Sequence, residues 1–336
     1  MRITRDALMK VVRDTVAQRT RNDRNLLAVY LHGSLLGEDY LLGGTADIDL
    51  FFVHSDEVQS RREILALTDD VHLDIAHFFH RDFRNTRQLR IHPWIGPTLK
   101  DSRIQFDPQH FLDFTQASVR GQYDQPDYVV ARSRSQVESA REHWLALHAL
   151  RSIPGARDLH SYLQALEHAA NAVASLTGPP LTERRFLLNL PARCEALRRP
   201  GLYPGLLGLL GATNVDQDLP RGWLTHWLAA YQALDSKMAP PRLHPARQNY
   251  YLKAIEALLS GNQPHAGLWP LLRSWTLAIC SLTEPGEHLS NWEIAMEALQ
   301  LTGKAFAERV AGLDAYLDMI EETLDQWAIA NGAGEA

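Results

Sequence analysis

Residues 27–54 read LAVYLHGSLLGEDYLLGGTADIDLFFVH, and the fold is decided there. The run 26–32 (LLAVYLH) is short and apolar, bounded by Asn22-Asp23-Arg24-Asn25 on one side and Gly33-Ser34 on the other, which marks a buried strand. A second run, 48–53 (IDLFFV), follows Gly43-Gly44. Residues two apart on a strand share a face. Thr45, Asp47, Asp49 and Phe51 therefore point one way, while Ala46, Ile48, Leu50 and Phe52 face the core. Two carboxylates side by side repel each other, and neither has a basic residue directly after it. A divalent cation held by hard oxygens removes that repulsion. Gly33 lets a phosphate approach the backbone, and Ser34 at the start of a helix would cap it where free N–H groups favour anions. Metal beside phosphate is the machinery of phosphoryl and nucleotidyl transfer. A third carboxylate is expected from a neighbouring strand. Asp74 supplies it, mid-run in 72–79 (HLDIAHFF) between Leu73 and Ile75, where an unpaired charge would be costly.

Outward from this stretch, Ile3, Leu8, Val11, Val12 and Val16 give residues 3–20 the spacing of an amphipathic helix. Residues 56–68 (DEVQSRREILALT) also read as a helix, 72–79 as the third strand, and 101–106 (DSRIQF) as another after the turn signals His92-Pro93 and Gly96-Pro97. Past Gln122-Tyr123-Asp124-Gln125-Pro126 the texture changes. Segments 131–150, 158–176, 183–198, 222–234, 246–260, 266–282 and 291–331 carry helical periodicity, with Gly178-Pro179-Pro180, Pro240-Pro241 and Pro264 as punctuation. The expected fold class is α+β: a mixed sheet flanked by helices in residues 1–128, then an all-α domain in 129–336. The 336-residue length fits two domains at roughly 150 residues each.

Hydrophobic residues make up 45% and charged residues 22%, which excludes a disordered chain or a membrane bundle. Lys and Arg number 34 against 40 Asp and Glu, a net charge of -6, so the basic excess of a nucleic-acid binder is missing. The two cysteines, Cys194 and Cys280, are too few for a disulfide framework or a four-thiolate zinc site. The N-terminal residues lack the apolar stretch of a signal peptide, and no run approaches the ~20 residues that span a bilayer. A cytoplasmic location, as monomer or homodimer without a membrane partner, is the expectation.

The ordered set Gly33-Ser34, Asp47-Ile48-Asp49 and Asp74, with helices following, resembles the DNA polymerase β-like nucleotidyltransferase superfamily. Within it the chain is most similar to the small-molecule, aminoglycoside-type enzymes and their uncharacterised bacterial relatives. The motif itself covers residues 27–79. The resemblance implies that Gly33 and Ser34 hold the triphosphate of an NTP, most simply ATP. It implies that Asp47 and Asp49 bind two Mg²⁺ (or Mn²⁺). Asp74 would bind one of these ions and orient or deprotonate the acceptor hydroxyl. Two departures stand out: thirteen positions separate Ser34 from Asp47, and the basic residue often found after Gly-Ser is Leu35. Phosphate charge must then be met elsewhere, with Arg184, Arg185 and Lys253 of the helical domain as the nucleotide-binding candidates beside Tyr250 and Tyr251.

The implied reaction moves an NMP to a hydroxyl of a small-molecule acceptor and releases pyrophosphate. The acidic balance favours a cationic acceptor and argues against tRNA or DNA. Glu138, Glu142 and Glu167 are candidate general bases of the helical domain. Nucleotidylation of a tRNA or protein, and a catalytically inactive nucleotide-binding module, are the alternatives. Other patterns read as structural. Arg81, Arg84, Arg87 and Arg90 form a solvated face, His72 and His80 lie on the opposite strand face from His77, and the glycines of 201–211 (GLYPGLLGLLG) serve turns and close packing.

Overall fold

The computed structural model describes residues 3–150, 153–216 and 218–334. The chain divides into two compact units, Met1–Tyr128 and Val129–Ala336.

The first unit is built on a five-stranded sheet: β1 (Leu26–His32), β2 (Ala46–His54), β3 (Arg62–Thr68), β4 (Val71–Phe79) and β5 (Arg103–Phe106). The spatial order is β3-β4-β2-β1-β5. Only β2 and β4 run parallel, and all other neighbours are antiparallel. Side-chain alternation splits β2 as its sequence requires. Ile48, Leu50 and Phe52 pack with Leu73 and Ile75 of β4 and with Leu8, Val12 and Val16 of helix α1 (Arg5–Asn22). Thr4 caps α1 by accepting the Ala7 N–H. The opposite face is apolar at one end, where Tyr30, Phe51, Val53 and Phe78 meet Phe83, Leu89, Leu99 and Leu112. Those last residues come from a 3₁₀ turn (His80–Phe83) and helices α2 (Thr86–Ile91), α3 (Ile95–Lys100) and α4 (Phe111–Arg120). Both faces are thus covered, and the carboxylates occupy the other end of the second one.

Residues 56–68 depart from the expected helix: 62–68 form β3, an edge strand. Its apolar spacing imitates a helix because Leu65 and Leu67 stay about two-fifths exposed, leaving Ile64 as the one buried residue of the strand. The charges at its start are drawn inward. Arg62 reaches Asp74, and Glu63 pairs with Arg19 of α1 at 2.7 Å and with His77 at 3.0 Å. His77 and His54 form a buried pair, Nδ1 to Nε2, 2.9 Å apart. Burial chiefly, against the opposing pull of Glu63 and Asp23, lowers both histidines from their ordinary value.

Among the described residues the regular elements of the second unit are all helices: α5 (Pro126–His148), α6 (Ala156–Ser175), α7 (Phe186–Ala196), α8 (Leu202–Leu209), α9 (Leu219–Gln232), α10 (Gln248–Leu259), α11 (Leu268–Ser281), α12 (Gly286–Ala298) and α13 (Gly303–Asn331), with short 3₁₀ turns between them. α11 is apolar nearly all round and lies at the centre, packed against α6, α9, α10 and α12. Trp227 and Trp292 of this core find partners for their N–H groups, whereas those of Trp269 and Trp275 have none among the described residues. Trp227 donates to Ser274 Oγ at 2.9 Å and Trp292 to Thr276 Oγ1 at 3.1 Å, while Trp269 stacks on Phe186. Arg141 of α5 binds Asp314, Asp318 and Glu321 along one side of α13, a clamp holding the two longest helices together. The segment 291–331, expected as one helix, is two: Gln300 (φ 58°) and Gly303 (φ 58°) turn the chain between α12 and α13. Both thiols, Cys194 and Cys280, are pushed up to about 11 by burial and stay protonated at neutral pH. No helix among the described residues is long and apolar enough to cross a membrane.

Candidate active site

In the first unit, β1 ends at His32 and the chain turns through Gly33, whose backbone (φ 88°, ψ -165°) lies where only glycine is comfortable. The bare Cα is needed twice over, because a Cβ built on Gly33 would stand 1.9 Å from Asp49 Oδ2. Glycine here lets the Asp49 carboxylate lie against the turn. His32 stands opposite Asp49 in the antiparallel β1–β2 pairing, and burial lowers its pKa, so the ring is neutral.

The hydroxyl of Ser34 does not cap a helix. Residues Ser34–Leu36 make one 3₁₀ turn, and Ser34 Oγ donates to the Tyr40 carbonyl at 3.4 Å. With so short a turn, the expected helix N-terminus is not formed. The long spacing to Asp47 is taken up by a compact loop. Its end is a tight turn at Gly43 and Gly44 (φ 60° and 75°), closed by reciprocal Leu42–Thr45 backbone bonds of 3.2 Å.

The parallel pairing of β2 with β4 sets Asp47 opposite His72 and Asp49 opposite Asp74. Parallel partners in register share a face, so the three aspartates stand together on the side away from α1. Asp47 is 7% exposed and Asp74 2%. Side-chain arrangement is a separate matter. Arg62 of β3 donates two bonds to Asp74, Nε to Oδ1 and Nη2 to Oδ2, both 2.6 Å, the bidentate fork of a strong ion pair. Among the described residues no three His, Cys, Asp or Glu side chains are gathered closely enough to hold a metal ion. The shared face is as expected from the sequence, and on it Asp74 is bound by Arg62.

The candidates of the second unit are described by themselves. Arg184, in the 3₁₀ turn Glu183–Arg185, is buried, lies 3.2 Å over the Tyr250 ring and donates to the Tyr250 carbonyl at 3.1 Å. Arg185 opens α7, and Lys253 sits part-exposed on α10, next to the buried Tyr250 and Tyr251. Of the four arginines read as a solvated face, Arg84 and Arg87 are exposed. Arg81 pairs with Glu57, and Arg90 is instead buried, bound to Ser118 and Tyr128. Of the candidate general bases, Glu138 and Glu142 have no contact that singles them out, whereas Glu167 is ion-paired with the buried Arg273 at 2.5 Å.

Sequence reasoning missed Arg62 and His32, and it took Glu167 as a candidate base rather than as the partner of Arg273. Arg62 carried a usable signal, since a buried carboxylate such as Asp74 needs a partner and an arginine stood twelve residues before it.

Comparison with known proteins adds little. No family model matches the chain and no curated protein matches it. Among solved structures, a nucleotidyltransferase-like protein from Exiguobacterium sibiricum 255-15 is similar over 94% of this chain and 91% of its own. Its identity is 12% and the TM-score 0.28, too loose for a residue-by-residue correspondence.

Proposed function

We propose that this protein is a nucleotidyltransferase that moves an NMP, most simply AMP, from an NTP to a hydroxyl of a small molecule with release of pyrophosphate. The observation that carries the reading is the seat of Asp49. Its carboxylate lies against the glycine turn, where a triphosphate would come closest to the backbone, and it shares a sheet face with Asp47 and Asp74. The chemistry of the donor set, hard carboxylate oxygens on two adjacent strands, fits Mg²⁺ or Mn²⁺. Asp47 and Asp49 would hold it, with Asp74 joining by leaving Arg62. When bound, such an ion neutralises phosphate charge and acidifies the attacking hydroxyl.

The chain's own part is positional. Gly33 and Ser34 offer backbone N–H groups at the mouth of the turn. β2 and β4 fix the carboxylates on a rigid strand pair. Neutral His32, opposite Asp49, adds no charge that would compete for the carboxylates. The test is release of pyrophosphate from ATP, CTP, GTP or UTP with a panel of hydroxyl compounds, with and without Mg²⁺ or Mn²⁺. Asp47→Asn and Asp49→Asn should each abolish it. Turnover that persists in both variants rules the mechanism out, and nucleotide binding without turnover for any acceptor would make the protein a binding module.

A further inference from the structure

The ion pair between Arg62 and Asp74 is lopsided. The Asp74 side chain is 2% exposed and the Arg62 side chain 45%, so the carboxylate is the fixed, buried half and the guanidinium reaches in from solvent. A buried carboxylate needs a cation beside it at all times, whereas an exposed guanidinium can do without the carboxylate. Arg62 therefore keeps a cation's place on Asp74, and another cation can take that place over. The neighbours of Arg62 in the chain are tied elsewhere. Arg61 lies over the Phe79 ring, as does Arg81, and Glu63 points to the other face, where it meets Arg19 and His77.

The strand registers give the reach. Ile64 of β3 stands opposite Asp74, Asp74 opposite Asp49, and Asp49 opposite His32, one row across four strands that ends at the Gly33 turn. Strands lie about 4.8 Å apart, so Asp74 is roughly 10 Å from the end of β1. In the transfer reading the phosphates start at that turn, and the reacting phosphoryl group meets the acceptor beside Asp74. Phosphates laid along this row end at the Arg62 guanidinium. The position straight after Gly33-Ser34, where a cation was looked for, holds Leu35, which is buried in the core beneath α1. Arg5 opens α1 on the opposite face and donates to the Leu36 carbonyl at 2.9 Å.

We propose that Arg62 is the cation that meets the reacting phosphate of the nucleotide, released from Asp74 when a divalent ion takes that carboxylate. The proposal rests on the transfer reading above and gives Arg62 two opposite effects. Guanidinium and ion compete for Asp74, so Arg62 weakens the binding of an ion on its own. A guanidinium freed from the carboxylate presents the same fork to phosphate oxygens, so Arg62 strengthens the binding of an ion–nucleotide complex. Ion and nucleotide thereby favour each other through one side chain. Charge stays balanced throughout: Asp74 exchanges one cation for another, and the guanidinium exchanges a carboxylate for a phosphate.

Two binding measurements on the full chain test it, and neither needs an acceptor. Electron paramagnetic resonance follows free Mn²⁺ for the ion alone, and titration calorimetry follows the preformed Mn²⁺–ATP complex. Arg62→Gln should bind Mn²⁺ alone at least about threefold tighter and Mn²⁺–ATP about tenfold more weakly, the worth of one charge-assisted bond. Arg62→Lys, which keeps the charge without the fork, should fall between wild type and Arg62→Gln for Mn²⁺–ATP. A side chain that merely held β3 in place would move both affinities the same way. Should Arg62→Gln alone fail to fold, adding Asp74→Asn removes the buried charge. That double variant should still bind Mn²⁺–ATP more weakly than Asp74→Asn alone. Affinities that shift together or stay unchanged in Arg62→Gln, or a loss of Mn²⁺–ATP binding in Arg5→Gln instead, would overturn the proposal. Asp47→Asn separates it from the transfer reading. If Asp47→Asn abolishes Mn²⁺–ATP binding and Arg62→Gln changes nothing, only the role of Arg62 falls; a wild-type chain that binds no Mn²⁺–ATP overturns both.

Discussion

Replacing Gly33 with alanine asks two things of the structure at once, and each has a size. The backbone at φ 88° and ψ -165° is a glycine conformation, and holding an L-residue there costs about 1–3 kcal/mol. The new methyl would also stand 1.9 Å from Asp49 Oδ2, 2.9 Å from its Cγ and 3.3 Å from its Cβ, so the whole carboxylate must rotate away. Gly44 separates the two effects. Its φ is 75°, but nothing lies within 4 Å of a Cβ built there, so Gly44→Ala should cost only the strain, about 1 kcal/mol. Gly33→Ala should cost roughly 2–4 kcal/mol, the excess measuring displacement of Asp49. Activity should separate them more sharply. Moving a reacting-centre group by an ångström is worth about 10²-fold, so pyrophosphate release should fall at least that far in Gly33→Ala and stay near wild type in Gly44→Ala. Urea unfolding and a pyrophosphate assay on the two variants settle the matter. Equal destabilisation by both, with activity retained, would show that the close approach of Asp49 to the turn has no consequence.

Two further outcomes follow from the same unit. Arg62→Met and Asp74→Asn should each destabilise, and a double-mutant cycle should show about 1–2 kcal/mol of coupling, held down because Arg62 is 45% exposed; additive effects would mean the fork is worth nothing. The buried His54–His77 pair should make stability depend on pH. Both are lowered in the fold from 6.5, so the unfolded chain takes up protons first; their contribution is complete above about pH 6.5 and is lost as pH falls towards the folded values. His54→Gln combined with His77→Gln should flatten that loss in urea unfolding between about pH 6.5 and 5, and an unchanged slope would show that other groups govern it.

What could be read from the sequence was whatever depends on near neighbours. β1, β2 and β4 announce themselves because their apolar runs are bounded by turn residues, and the common face of Asp47 and Asp49 follows from a period of two. Which strand lies beside which does not follow, so the register of Asp49 with Asp74 becomes visible only in the folded sheet. β3 was misread because an edge strand buries one residue where a central strand buries half, and its remaining pattern fits a helix equally well. The single turn at Ser34 was overread, since a serine after a strand looks the same whether it caps a helix or bonds a loop carbonyl. The buried ion pair of the helical unit left no local trace. Glu167 and Arg273 are 106 residues apart, and neither carries a local sign that it pairs with the other.

β3 also shapes how the protein must be handled. No other described strand pairs with its outer side, and Leu65 and Leu67 sit in the open along it. Unspent backbone groups beside exposed leucines make a template on which another copy could add a strand. Arg61, Arg62 and Glu63 at its start act as gatekeepers, because an incoming antiparallel or parallel copy would have to bring further charge against them. Those residues also keep their inward partners, Phe79 beneath Arg61, Asp74 beside Arg62 and Arg19 beside Glu63. Colloidal behaviour and the posture of the Asp74 carboxylate therefore hang on the same short stretch of chain, and solubility engineering at this edge would reach the face that carries Asp47, Asp49 and Asp74 within one side chain's length.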